Sequence, residues 1–130
     1  MIYVDTSALV KLLFDEPESA AFTGWLSQKA EIPFVSSNLS IVELFRTCRR
    51  IDESLVDDAR RLLDGVDLVP IDHVIIEQAA ILGPLELKSL DAIHLASALS
   101  LNADLTDFVV YDVRLRSAAE KAGLPVVSPA

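Results

Sequence analysis

Four acids in this sequence, Asp5, Glu43, Asp91 and Asp112, stand where alternating strand–helix folds do their chemistry. Asp5 ends the apolar run Met1-Ile2-Tyr3-Val4, whose β-branched and aromatic residues suit a buried strand, and helical spacing follows from Ala8. Asp112 ends a similar run, Phe108-Val109-Val110-Tyr111, while Glu43 and Asp91 fall in the first turns of two apolar-striped helices that follow connectors. Strand exits and helix starts share one rim of a parallel sheet, so the four side chains are able to converge on one crevice. Converged carboxylates repel, which raises their pKa values or weakens the fold until cations are bound. An all-oxygen set selects a hard divalent ion, Mg²⁺ or Mn²⁺, over zinc.

Each acid also has a purely structural reading. Asp5, Thr6 or Ser7 can cap a helix, and Ser40-Ile41-Val42-Glu43 has the form of a capping box. Asp91, two residues after a candidate cap at Ser89, is favoured by the helix dipole, and Asp112 can cap the last helix. Spacing alone leaves both readings open.

The elements that must position these residues alternate along the whole chain. Pattern and punctuation predict strands over 2–4, 32–37, 66–71, 107–112 and 125–128. Helices are expected over 8–14, from Pro17 to about Ala30, over 38–51 and 52–64, from Asp72 to just before Gly83, over 90–101 and over 114–122. This order implies a single α/β domain over residues 1–130, built as three α/β/α layers around a mostly parallel central sheet. Trp25 and Cys48 lie on apolar stripes and read as core. His73 has no second histidine one helical turn away and reads as a cap or surface residue.

Composition narrows the function. No apolar run is long enough to span a membrane and no signal-peptide pattern opens the chain, so a cytoplasmic location without membrane attachment is expected. One cysteine excludes an internal disulfide or a multi-cysteine metal site. The net charge of −9 argues against a general nucleic-acid binder unless metal ions or a basic partner supply positive charge. The hydrophobic share of 52% and mean hydropathy of +0.40 are high, which suits burial of some surface against another chain.

Four segments taken together resemble the motifs of PIN-domain ribonucleases. They are Asp5-Thr6-Ser7-Ala8-Leu9, Ser40-Ile41-Val42-Glu43-Leu44-Phe45-Arg46, Ser89-Leu90-Asp91-Ala92-Ile93-His94-Leu95-Ala96-Ser97-Ala98, and Phe108-Val109-Val110-Tyr111-Asp112-Val113-Arg114-Leu115. Their order, spacing and the chain length are most similar to the VapC toxins of bacterial toxin–antitoxin pairs. The resemblance implies a PIN-like fold and an Mg²⁺- or Mn²⁺-dependent endoribonuclease whose metal-binding acids are Asp5, Glu43, Asp91 and Asp112. It also implies RNA as substrate, a homodimer, and a cognate antitoxin as inhibitor.

On that basis Asp5 and Asp91 are expected to be indispensable, with Glu43 and Asp112 acting directly or through water. Thr6 and Ser7 are expected either to orient water or phosphate or simply to cap a helix. Arg46, one turn from Glu43, and Arg114, beside Asp112, are expected either to touch the RNA backbone or to stabilise negative charge. His94, one turn from Asp91, reads as a packed helix histidine more than as a general acid. The family commonly carries a hydroxyl residue where this chain has Val110, which a strand would place on the same side as Asp112. Two other classes remain as alternatives: a catalytically impaired PIN-like interaction module, and an aspartyl-phosphate phosphotransfer domain. The second wants another acid two residues after Asp5, where this chain has Ser7.

Overall fold

The computed structural model describes residues 1–130, with five strands joined in one sheet. The strands are β1 (Ile2–Val4), β2 (Phe34–Ser37), β3 (Asp67–Val69), β4 (Asp107–Val109) and β5 (Val126–Val127). They lie in the order β3-β2-β1-β4-β5, and every neighbouring pair is parallel. Seven helices accompany them: α1 (Thr6–Leu13), α2 (Ser19–Ser27), α3 (Leu39–Ile51), α4 (Val56–Asp64), α5 (His73–Ile81), α6 (Ser89–Leu99) and α7 (Val113–Lys121).

The chain moves outward from β1 through β2 to β3 and then returns to lay β4 on the other side of β1. That reversal puts a topological switch point between β1 and β4, and a crevice opens beyond their carboxyl ends. Side-chain alternation divides the core in two. Ile2, Val4 and Val109 face Leu9, Phe22, Leu44, Cys48 and Leu63 from the first four helices. Tyr3, Val35, Phe108 and Val110 face Leu95, Ala98, Leu115 and Ala118 from α6 and α7. The result is a three-layer α/β/α fold. Tyr3 and Phe108 stack with ring centroids 5.4 Å apart and are fully buried, which anchors β1 to β4 on the α6 side.

Several boundaries differ from the sequence expectation for identifiable reasons. α1 starts at Thr6, because Asp5 caps it directly and no turn intervenes. α2 starts at Ser19 and not at Pro17: the Ser19 hydroxyl donates to the Phe14 carbonyl and accepts the Glu16 amide, closing a turn across residues 14–19. A 3-10 turn over Glu53–Leu55 precedes α4, where one helix was expected. β3 stops at Val69, before Pro70, which has no amide to donate. Lys88, not Ser89, occupies the cap position of α6, and Ser89 is its first helical residue.

The expected relation between Val110 and Asp112 is also corrected. β4 ends at Val109, and Asp112 caps α7, so the two residues do not share a strand. Val110 is fully buried in the apolar cluster with Tyr3, Phe108 and Leu115.

Candidate active site

Asp5 leaves β1 with extended backbone and presents its carboxylate to the start of α1. Its Oδ1 accepts the Ala8 amide at 3.0 Å, and the Ser7 hydroxyl lies 2.7 and 2.9 Å from its two oxygens. Ser7 Oγ also accepts the Tyr111 amide at 3.3 Å, and the Asp5 amide donates to the Val109 carbonyl at 3.3 Å, so the exits of β1 and β4 are tied together. Asp5 is therefore a cap and a rim residue at once. Only 4% of it is exposed, and burial pushes its pKa up to about 6; the charge of Asp91 acts in the same direction, against the nearby His94 and the bonds from Ser7 and Ala8.

Glu43 is held from a different side. Its Oε1 accepts the Thr6 hydroxyl at 2.6 Å and lies 2.8 Å from His94 Nε2. Partial burial works against its charge, but the bonds from His94 and Thr6 outweigh that and hold its carboxyl below the usual range. The capping-box reading of Ser40 and Glu43 fails: α3 begins at Leu39, and the Ser40 hydroxyl turns to Ser36 Oγ at 2.6 Å and Thr6 Oγ1 at 3.4 Å. His94 is 2% exposed with both ring nitrogens engaged, Nδ1 lying 2.7 Å from the Tyr3 hydroxyl. It is a packed histidine with no open face for acid catalysis.

Asp91 and Asp112 line one cleft of about 540 Å³ together with Lys88, Tyr111, Val113 and Arg114. Asp112 also caps α7 through the Leu115 amide at 2.9 Å. Burial raises the pKa of Asp91, and the neighbouring charges of Asp112 and Glu43 raise it further. Asp91 thus interacts with each of the other three acids, and the four belong to one electrostatic group. Arg114 opens on this cleft, whereas Arg46 lines a separate one of about 370 Å³ with Arg49, Arg50 and Glu53.

None of the four acids forms an ion pair with a lysine or arginine; the single such contact among them is from Glu43 to His94. Buried or crowded carboxylates without cationic partners, all with oxygen donors, fit a hard divalent ion. As they stand, no three acid, histidine or cysteine side chains are close enough together to enclose one.

The network behind Glu43 escaped the sequence reading. Tyr3 looked like core and Ser36 like ordinary strand, yet their polar tips serve the rim: the Ser36 hydroxyl donates to the Val4 carbonyl at 2.6 Å and supports Ser40. A tyrosine inside a short apolar strand is a usable signal, because a buried phenol needs a partner.

A family model described as "PIN domain" matches residues 2–121. Ribonuclease VapC47 of Mycobacterium tuberculosis is 43% identical over 132 residues, spanning 99% of this chain and 97% of the relative. Ribonuclease VapC46 of the same species is 42% identical over 128 residues, with 98% and 97% covered. Among solved structures, the M. tuberculosis toxin VapC20, titled a sarcin–ricin loop cleaving toxin, superposes with a TM-score of 0.78 at 20% identity, covering 99% of this chain and 100% of that one. A toxin–antitoxin complex from Klebsiella pneumoniae superposes with a TM-score of 0.71 at 23% identity, covering 100% and 98%. At those identities the superpositions bear on the fold alone, and they agree with the closer sequence matches: this chain belongs to the PIN-domain family, among the VapC ribonucleases.

Proposed function

We propose that this chain is an endoribonuclease and the toxin of a toxin–antitoxin pair, cleaving RNA phosphodiester bonds with Mg²⁺, for which Mn²⁺ substitutes, held by Asp5, Glu43, Asp91 and Asp112. The observation that carries this reading is the group of four acids around the switch point, none of which forms an ion pair with a lysine or arginine. Full-length similarity to proteins named ribonuclease supports it independently.

A divalent ion held in the crevice would supply Lewis-acid charge to the scissile phosphate and a water of lowered pKa. Asp5 and Asp91 would hold that ion directly, and Glu43 and Asp112 would complete the set directly or through water. Ser7 and the Ala8 amide fix the Asp5 carboxylate, and Thr6 fixes Glu43. Arg114, beside Asp112 on the cleft, offers its guanidinium to the RNA backbone. With a net charge of −9, the chain suits an antitoxin that inserts basic side chains into the acidic crevice. A homodimer is part of the same reading: Ile76 and Leu85, both exposed and apolar, line one groove beside α5 and α6, a surface that a second copy would cover.

The test is incubation of the purified chain with total cellular RNA, with and without Mg²⁺, beside the Asp91→Asn variant, with the cut ends mapped. Discrete ends that need both Mg²⁺ and Asp91 are expected. Equal cutting by the variant overturns the reading.

A further inference from the structure

A line of hydrogen bonds, buried at Tyr3 and part-buried at Glu43, runs from the centre of the sheet to the start of α3, and its proton positions can be assigned from its ends. The Tyr3 hydroxyl at the inner end is fully buried. Its hydrogen-bond partner is His94 Nδ1 at 2.7 Å. With that hydroxyl donating, Nδ1 is the acceptor and the ring proton sits on Nε2. Nε2 lies 2.8 Å from Glu43 Oε1, a carboxylate oxygen that can only accept. The Thr6 hydroxyl donates to the same oxygen at 2.6 Å. Both donors fall on Oε1, and no hydrogen bond engages Oε2.

We propose that His94 is a positioning residue for the metal site: its Nε2–H clamps Glu43 Oε1 together with Thr6, presenting Oε2 as a ligand, and the Tyr3 hydroxyl locks the imidazole tautomer that makes this possible. The proposal rests on the reading of Glu43 as a metal ligand. The physical reason for the arrangement is the length of the glutamate. A free Glu side chain loses much rotamer entropy when it binds an ion, and two donors on one oxygen remove that freedom before the ion arrives. Hydrogen-bond partners of metal-binding side chains commonly govern affinity by about 10- to 100-fold. The line crosses three elements, β1, α6 and α3, so it also couples the sheet's register to the carboxylate's aim.

The experiment is Mn²⁺ titration calorimetry, read beside thermal melting, on wild type and four variants. Glu43→Gln is expected to weaken Mn²⁺ binding; if it does not, Glu43 is no ligand and the underlying reading fails. His94→Leu is expected to weaken binding by about 10- to 100-fold, and His94→Gln, which restores a donor near the position of Nε2, to recover most of it. Tyr3→Phe keeps the stacked ring and is expected to weaken binding by about 10-fold while nitrogen-15 spectra of His94 change from the single Nε2–H tautomer to a mixture. Glu43→Gln weakening binding while folded His94→Leu and Tyr3→Phe keep wild-type affinity overturns the positioning role and leaves the ligand reading intact. Should His94→Leu fail to fold, Tyr3→Phe and the His94 spectra decide: wild-type affinity with an unchanged tautomer overturns the proposal.

Discussion

The Ser7 hydroxyl sits 2.7 Å from Asp5 Oδ1 while accepting the Tyr111 amide, so one small side chain bridges the exits of β1 and β4 across the switch point. The bridge ends one residue short of Asp112. Whatever moves β4's exit therefore moves the far acid relative to Asp5. Capping and function are not rivals at this position, because the cap geometry is what aims the carboxylate.

Ser7→Ala removes both bonds and leaves the Tyr111 amide without its partner. A loss of about 1–3 kcal/mol in stability is expected, together with Mn²⁺ affinity lower by about 10- to 100-fold. Denaturant unfolding and Mn²⁺ titration on the same preparation check it. Wild-type values for both would show that the bridge has no consequence.

Asp5→Asn is expected to separate stability from function. The folded carboxyl titrates at about 6 against an ordinary value of 3.8, so the folded state holds this proton more tightly than the unfolded chain. Its contribution to stability is complete below pH 3.8 and is lost as pH rises through 6, a cost on the order of 3 kcal/mol at pH 8 without divalent ions. Asparagine keeps the oxygen that caps Ala8 and carries no charge. The variant is expected to be more stable than wild type at pH 8 in chelator, with the advantage fading towards pH 4, while cleavage falls by about 10²–10³-fold or more. Unfolding curves at the two pH values decide; a variant less stable than wild type at pH 8 contradicts the assignment.

Legibility followed the range of the interaction. The order of strands and helices was written in local patterns, and so were Asp5 and Asp112, because a strand exit and a helix cap are both short-range features. Cys48 and the surface position of His73, paired with Glu77 at 2.8 Å, were readable for the same reason. The boundaries failed where a side chain from elsewhere intervened, as when Ser19 closed the turn before α2. The Tyr3–His94–Glu43 line joins residues up to 91 positions apart, and no local pattern encodes which polar tips will meet. Arg46 looked equivalent to Arg114 in the sequence, yet only Arg114 opens on the cleft that holds two of the acids.

Arg114→Ala is expected to weaken RNA binding about equally for every RNA sequence and to lower the slope of log affinity against log salt by about one, the signature of one lost phosphate contact. Binding measured in Ca²⁺, to suppress cutting, over a salt series checks it. An unchanged slope would place Arg114 away from the backbone.

Val110→Thr tests whether the residue that departs from the family pattern matters for cutting. The side chain is fully buried among Tyr3, Phe108 and Leu115, and the strand that would have aligned it with Asp112 has already ended. Threonine has nearly the same shape, so the change adds one hydroxyl to an apolar cluster and little volume. Without a partner there, that hydroxyl costs about 1–3 kcal/mol. The expected outcome is a lower unfolding midpoint with an unchanged cleavage rate per folded molecule. A rate that rises on Val110→Thr would mean that this position does face the acids and that its lost hydroxyl had limited the native site.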